Sequence, residues 1–327
     1  MTRVNRSVVY SLVSLALACN VAVFAQEKPA NYPNRPVRLI LTVAPGAGAD
    51  AIARAAAQML SEAWGQSVVV DNRPGAGGLI AVETVVKAAP DGYTILSNGD
   101  SLLLLGALKR VPYDIRKVLD PIVPTSAQPY VLLINPALPV KSMKDLIAYS
   151  ATQTLTYSGS SGIGSTVHLG MERFAHISGA KLLFVPYKGS APSIIAVMSG
   201  EIHIAAASAI AATSAMRTGK VRALASMGLT RIPSMPDLPT VAEQGFPGFK
   251  ITNRYGLYAP AGTPRAVINR INQIVGEGMH SPQMRQRLEA DGSQPADRMT
   301  PDELRATLAR EYVELEQQVK LLNLKIQ

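Results

Sequence analysis

The run Val37-Arg38-Leu39-Ile40-Leu41-Thr42-Val43 narrows the fold more than any other feature of the chain. It is apolar at nearly every position rather than at alternate ones. That pattern marks a strand covered on both faces, and such strands belong to parallel sheets flanked by helices. The next residues agree. Pro45-Gly46-Ala47-Gly48 is a loop, Asp50 can cap a helix, and Ile52, Ala56, Met59, Leu60 and Ala63 recur at helical spacing until Gly65. A second strand is predicted over 67–70, a turn at Asn72-Arg73-Pro74-Gly75, and a helix over 79–87. A third strand over 93–96 and a helix opened by Asn98-Gly99-Asp100-Ser101 complete a βαβαβ order, which implies a parallel sheet with right-handed crossovers.

A second series begins after Gln128-Pro129. It reads as a strand over 130–135, a helix opened by the capping pattern Ser142-Met143-Lys144-Asp145, and a short strand over 155–157. A glycine- and serine-rich segment over 158–166 leads to a helix over 167–177, with further strands over 182–185, 202–206 and 221–225. A third block opens with a strand near 255–258. Three helices follow, announced by Thr263-Pro264, Ser281-Pro282 and Thr300-Pro301, the last over 302–322. Two α/β series and a helical tail suggest two α/β lobes, in keeping with 327 residues at roughly 150 per domain. The chain is 47% apolar and 17% charged, which excludes a disordered one, and its single Cys excludes an internal disulfide framework.

Residues 1–25 read as an export signal: Arg3 and Arg6, an apolar run over 8–18, then a small-residue site Val23-Phe24-Ala25. The apolar run is shorter than the ~20 residues of a membrane span. Cys19 lies inside this signal. Ala16-Leu17-Ala18-Cys19 faintly suggests a lipid-attachment box, but Ala16 stands where that box usually has Leu. Cleavage after Ala25 removes 25 residues with two Arg and no acid, taking 327 residues and +9 to 302 residues and +7. The mature chain is then cysteine-free, soluble and exported to the periplasm.

Gly46-Ala47-Gly48-Ala49-Asp50-Ala51 fits the loose dinucleotide fingerprint G-x-G-x-x-A, with Asp71 where a ribose-binding acid belongs. Export argues against a nicotinamide cofactor, and no cofactor is expected. The loop still brings backbone N–H groups at a helix N-terminus within reach of an anion, while a tight βα turn is the plainer reading. The segment Ser158 to Thr166 offers hydroxyls and amides before a second helix. Ser161 is flanked by Gly159 and Ile163, so the G-x-S-x-G nucleophile elbow is not met. A ligand-holding loop is favoured there over a flexible surface loop. His168, Glu172 and His176 share one helix face, but three collinear side chains cannot converge on one metal ion, so an exposed ion-paired face is expected. The positive charge is scattered among acids, which argues against nucleic acid and for a modest pull on anionic solutes.

Six segments together resemble the Bug-type extracytoplasmic receptors, the substrate-binding proteins of tripartite tricarboxylate transporters. They are Tyr32-Pro33-Asn34-Arg35-Pro36-Val37-Arg38, Val69-Val70-Asp71-Asn72-Arg73-Pro74-Gly75-Ala76-Gly77-Gly78 and Ala89-Pro90-Asp91-Gly92-Tyr93-Thr94. To these are added Val185-Pro186-Tyr187-Lys188-Gly189-Ser190-Ala191-Pro192, Pro236-Asp237-Leu238-Pro239-Thr240-Val241-Ala242-Glu243 and Ala259-Pro260-Ala261-Gly262-Thr263-Pro264. The resemblance runs from about Tyr32 into the last helix.

It implies an α/β, two-lobed periplasmic binding protein fold, type II-like, each lobe a Rossmann-like sheet flanked by helices, joined by two hinge crossings near Gln128 and Ile251. Lobe 1 would be 26–128 plus 252–327 and lobe 2 would be 129–251. A small carboxylate-bearing solute would sit between them, held by Pro45, Gly46, Ala47, Gly48 and Asp50 and by Ser160, Ser161, Gly162, Gly164, Ser165 and Thr166. Asn98, Ser101, Tyr187, Ala207 and Ser208 are further expected contacts. The sequence departs from the family pattern in three places. Val43-Ala44-Pro45-Gly46-Ala47-Gly48 stands where relatives often have Phe-Pro-Pro-Gly-Gly. Ala205-Ala206-Ala207-Ser208 lacks an Asp or Asn often found near there, and Asn253-Arg254-Tyr255 replaces Ser followed by an aromatic. The expectation is a monomeric, non-enzymatic receptor serving the permease subunits of a tripartite transporter. The alternatives are presentation of the solute to a membrane sensor, or an exported hydrolase using Ser161. Lys188 and Arg254 are the nearest cations in sequence, and neither principal loop contains Lys or Arg.

Overall fold

The computed structural model describes residues 32–43, 45, 48–75, 78–159, 165–187, 189–290 and 292–321. The expected signal, its cleavage site and Cys19 lie outside them. Strand β1 (Val37–Leu41) runs between β2 (Val68–Asn72) and β3 (Thr94–Gly99), all parallel. This position explains the continuous apolar run: both faces of β1 are covered, and Val37, Leu39, Ile40 and Leu41 are buried. Only Arg38 reaches solvent, pairing with Asp71 at 2.7 Å. Helices α1 (Gly48–Trp64), α2 (Leu79–Val86) and α3 (Ser101–Ala107) follow the three strands in turn, and a single turn, α4 (Ile115–Val118), leads into β4.

Strand β4 (Leu119–Ile134) joins the two lobes. Its first part pairs with β9 (Thr252–Pro260), which in turn pairs with β3, both antiparallel. Its last part pairs antiparallel with β7 (Ile204–Ser208) and β8 (Arg222–Ser226). Beyond β7 lie β5 (Leu155–Ser158) and β6 (Leu182–Phe184), parallel to one another. The sheet order is β2-β1-β3-β9-β4-β7-β5-β6, with β8 and the two-residue β10 (Gln294–Pro295) also on β4. The return crossing is at Ile251, whose N–H donates to Met227 O at 2.7 Å just before β9 begins.

Helices α5 (Met143–Thr152), α6 (Thr166–Ser178), α7 (Ser190–Ser199) and α8 (Ala209–Met216) complete lobe 2. The strand period of two decides how they pack. Leu132 and Ile134 enter a cluster with Tyr157, Phe174 and Phe249, on the side of α5 and α6. Val131 and Leu133 enter another with α7 and α8. In lobe 1, α9 (Arg265–Met279), α10 (Pro282–Ala290) and α11 (Pro301–Leu321) form the helical tail, and α11 packs Leu304, Leu308 and Tyr312 on α2, α3 and Ile40.

The structure departs from expectation most at β4, which begins at Leu119 and not after Pro129. Pro121, Pro124 and Pro129 each withdraw an N–H from the ladder, a pattern that argues against a strand. The strand forms anyway because its register shifts beside two of these prolines, between Pro121 and Val123 and between Pro124 and Ser126. The helix expected from Thr263-Pro264 starts one residue later, at Arg265, with Pro264 as its cap.

Candidate functional site

Strand register fixes where the loop ends meet. Strand β3 runs toward lobe 2, and its last residue Gly99 aligns with Tyr255, which aligns with Ser126 on β4. Strand β7 runs the opposite way and ends with Ser208 opposite Tyr130. Ser126 and Tyr130 are four residues apart, about 13 Å along an extended strand. The parallel strands of both lobes therefore end facing a common junction. The helices that follow them, α1 and α3 from one lobe and α6 and α8 from the other, begin there. Helix N-termini carry unpaired N–H groups and partial positive charge, so the junction favours an anion.

At the end of β1, Pro45 is exposed and Gly48 opens α1. Asp50 lies inside the first turn, not ahead of it as a cap residue. Its carboxylate is buried, accepting from Arg54 Nε at 2.9 Å and Asn72 Nδ2 at 2.9 Å, while Asn72 Nδ2 also donates to Val43 O. Asp50 thus ties α1 to the ends of β1 and β2 and is neutralised by Arg54.

At the end of β3, Asn98 is 1% exposed. Its Oδ1 accepts from Gly99 N at 2.7 Å and Ser101 Oγ at 3.1 Å, with Thr42 Oγ1 at 3.4 Å. Its Nδ2 has no partner among the described residues. A buried donor left unpaired costs about 1–3 kcal/mol, so this group is a natural place for a ligand oxygen. Across the strand pair, Asn253 donates from Nδ2 to Tyr255 Oη at 2.8 Å, while its buried Oδ1 has no partner among the described residues. A Cβ on Gly99 would fall 2.5 Å from that Oδ1, so a larger residue there would push the Asn253 amide aside.

Arg254 does not serve as a free cation. It donates from its backbone N to Asp100 Oδ2 at 3.0 Å, from Nη2 to Asp100 Oδ1 at 3.2 Å, and from Nη1 to Glu311 Oε1 at 3.1 Å. Burial pushes the Asp100 carboxyl above its ordinary range, and Arg254 pulls it part of the way back. Burial also works against the Arg254 charge, but the two carboxylates outweigh it and hold the guanidinium protonated.

In lobe 2, β5 ends at Ser158, fully buried, with an Oγ that has no partner among the described residues. Gly159 follows because a Cβ there would lie 2.5 Å from Val167 Cγ1. Ser165 caps α6, accepting from His168 N at 3.2 Å, and Thr166 is the first helical residue. Ser208 caps α8, accepting from Ala211 N at 3.5 Å, while Ala207 is sealed in the core. Ser101 opens α3 and bonds Asn98. Tyr187 donates to Glu201 Oε1 at 2.7 Å. Glu201 precedes β7, so this hydroxyl is tied toward the end of the lobe-2 sheet opposite Ser158 and Ser208. Gly46, Ala47, Ser160, Ser161, Gly162, Gly164 and Lys188 lie outside the described residues.

The exposed ion-paired face expected for His168, Glu172 and His176 is corrected. His168 is buried against Phe184, ring centroids 4.2 Å apart, and only His176 is exposed. Glu172 accepts from Tyr157 Oη at 2.8 Å and lies 3.9 Å from His168 Nε2. Burial pushes the His168 imidazole below its ordinary value, with Glu172 pulling it part of the way back. Among the described residues no group of His, Cys, Asp and Glu is placed to hold a metal ion. The sequence reading missed Thr42, which carries no motif, and the commitment of Asp100 to Arg254.

A family model described as Tripartite tricarboxylate transporter family receptor matches residues 52–319. The chain is similar to the periplasmic binding protein BugD, with 29% identity and a TM-score of 0.76 over 90% of this chain and all of that one. It is similar to Rpa4515 of R. palustris, solved with adipate, with 32% identity and a TM-score of 0.78 over 89% of this chain and 98% of that one. MatC of Rhodopseudomonas palustris, solved with bound malate, gives 28% identity and a TM-score of 0.74 over 88% of this chain and all of that one.

Proposed function

Because the chain belongs to the tripartite tricarboxylate transporter receptor family, we propose that it is a periplasmic receptor that captures a small dicarboxylate between its lobes. It then delivers this solute to the permease subunits of a tripartite transporter. The observation that carries the reading is the register that turns the strand ends and helix N-termini of both lobes toward one junction. Asn98 Nδ2 offers an unpaired donor on one side and Ser158 Oγ an unpaired hydroxyl on the other. Adipate and malate, found with the relatives, are dicarboxylates, and a ligand with an anionic group at each end suits a site with donors in both lobes. At the described strand ends Arg54 is spent on Asp50, Arg73 on Asp71 and Arg254 on Asp100 with Glu311, so in this reading backbone N–H groups, hydroxyls and bridging waters hold the carboxylates, while Arg173 and Lys250 line an adjoining cavity.

In this reading, lobe 1 is 26–128 with 252–327 and lobe 2 is 129–251. The signal is removed after Ala25, and the exported chain works as a monomer that binds without turnover. A thermal-shift screen of adipate, malate and other dicarboxylates tests it. A ligand at 100 times its Kd adds about 2.7 kcal/mol to stability. A clear rise in melting temperature with at least one dicarboxylate, and recovery of that compound unchanged, is the expected result. No rise with any carboxylate would sink the ligand class, and consumption of the bound compound would sink the receptor role.

A further inference from the structure

Between α6 of lobe 2 and α11 of lobe 1 lies a cavity of about 270 Å³, bordered by the return crossing and by β10. The cavity opens to solvent, and the two helices approach closely at only a few residues beside it. Their facing stripes correspond. Helix α6 presents Leu169 and Arg173, one turn apart, and α11 presents Glu314 beside Leu315. Lys250 joins the lobe-2 wall and Asp297 the lobe-1 wall. The other acids here, Asp100 and Glu311, are engaged by Arg254. Arg173, Lys250, Asp297 and Glu314 form no ion pair among the described residues. The Arg173 guanidinium instead lies 5.8 Å from the Phe249 ring. One wall of the cavity thus carries Arg173 and Lys250, whose charge also reaches Asp100, and the other carries Asp297 and Glu314; each lobe adds a leucine, Leu169 and Leu315, to the lining.

We infer that α6 and α11 form an interlobe latch, in which Arg173 and Lys250 meet Glu314 and Asp297 as Leu169 closes on Leu315. The inference rests on the two-lobed receptor reading and deepens it. The latch sits beside the ligand junction, since Thr166 and Asp100 border the same cavity. Arg173 acts as a positioning residue: it stabilises the closed form and through it the bound solute, without touching the solute. A ligand can favour closure only by binding that form better, and the latch supplies part of the same preference from within the chain.

The test reads lobe separation without needing a ligand. Nitroxides are placed on Lys87→Cys in lobe 1 and Lys144→Cys in lobe 2, in a Cys19→Ser chain, and distance distributions are recorded by double electron–electron resonance. Arg173→Glu and Glu314→Lys should each lengthen the mean separation, and the double reversal should restore it. Moving the unsubstituted pair from 0.1 to 1 M NaCl, where the screening length falls from ~10 to ~3 Å, should lengthen it as well. Adipate affinity should fall by about two- to five-fold in each single reversal and recover in the double, the range measured for partly exposed ion pairs. The latch is overturned if salt and both single reversals leave the distribution unchanged, or if the double reversal adds to the singles instead of cancelling them. Failure of adipate to bind the unsubstituted chain counts against the proposed ligand class alone, because the distances still decide the latch.

Discussion

On the lobe-1 side of the junction, acids are held by arginines: the buried Asp50 by Arg54, with Asn72, and the partly buried Asp100 by Arg254, which also holds Glu311. On the lobe-2 side, serines cap the helices, Gly159 lets α6 approach its strand, and one neutral pair, Tyr157 and Phe184, packs edge to face at 5.2 Å. One wall is set by charge compensation and the other by fit. An anionic solute explains why that difference is tolerable. Lobe 1 cancels the acids at its strand ends, Asp50 and Asp100, internally, whereas the segments 158–166 and 207–216 that follow β5 and β7 contain no acid in their sequence. The comparison predicts that lobe 1 fails with pH and with loss of cations, and lobe 2 with changes of volume.

Arg254→Met should break the comparison hardest. It leaves Asp100 and Glu311 without their cation, and because both side chains keep some exposure the cost should be at most about 3 kcal/mol, the low end for a buried ion pair. The pH dependence has a definite sign. The folded-state pKa of Asp100 is raised by burial, so the group favours folding while protonated and loses that contribution as pH rises through its folded value. Without Arg254 the raised value climbs further. Urea denaturation should show the deficit of Arg254→Met widest near pH 7 and narrowing toward pH 4. A deficit that is flat with pH would mean that Asp100 is not the group left uncompensated.

Gly159→Ala comes next, and its effect should be about 1–3 kcal/mol, the usual cost of overpacking. The added Cβ would lie 2.5 Å from Val167 Cγ1. Val167→Ala in the same chain should relieve part of the loss but not all, because the Cβ it keeps would still lie 2.8 Å from the added one. Because no charge is involved, the deficit should be the same at pH 5 and pH 7 and in low or high salt. A strong dependence on either would erase the distinction between the two walls.

Ser165→Ala and Ser208→Ala should each cost about 1 kcal/mol, the typical worth of an N-cap side chain. Both hydroxyls accept a backbone N–H at the start of a helix that faces the junction. The two losses should add, since the caps belong to different helices and accept from different backbone N–H groups, His168 N and Ala211 N. Thermal melts of the single and double variants give the answer, and a double variant much worse than the sum would show that the helix starts are coupled.

These contrasts also separate what local sequence could reveal from what it could not. Strand β1 was readable because seven residues carry its pattern, and the caps at Ser142 and Thr300 because each lies three residues from its partner. Asp50 was visible as an acid at a helix start, but its bond to Asn72 spans 22 positions. The Arg254 cluster was illegible, since its partners lie 154 and 57 residues away. The prolines of β4 hid its first half, because a strand that survives by shifting register leaves no periodic trace. His168 looked like a solvent-facing helix residue because its cover, Phe184, comes from a strand formed later in the chain.

The smallest expected effect falls on lobe 2 and has the opposite pH sign to that of Asp100. His168 is held below its ordinary pKa by burial, with only Glu172, 3.9 Å away, acting to raise it. The unfolded chain therefore takes up a proton at this side chain before the folded one does. Its contribution to stability is present above pH ~6.5, the unperturbed value, and is lost as pH falls toward the folded pKa. Groups that face the ring include Phe184, which carries no charge, and Glu172, whose carboxylate accepts from Tyr157 Oη at 2.8 Å. Protonation thus gains one carboxylate at a distance too long for a good hydrogen bond and gives up an apolar contact. His168→Gln should flatten the fall in stability between pH 7 and pH 5 without steepening it anywhere in that window. If the slope is unchanged, His203, whose pKa burial also lowers, carries the acid sensitivity of this lobe. In that case the His203→Gln chain, measured alongside, should show the flattening instead.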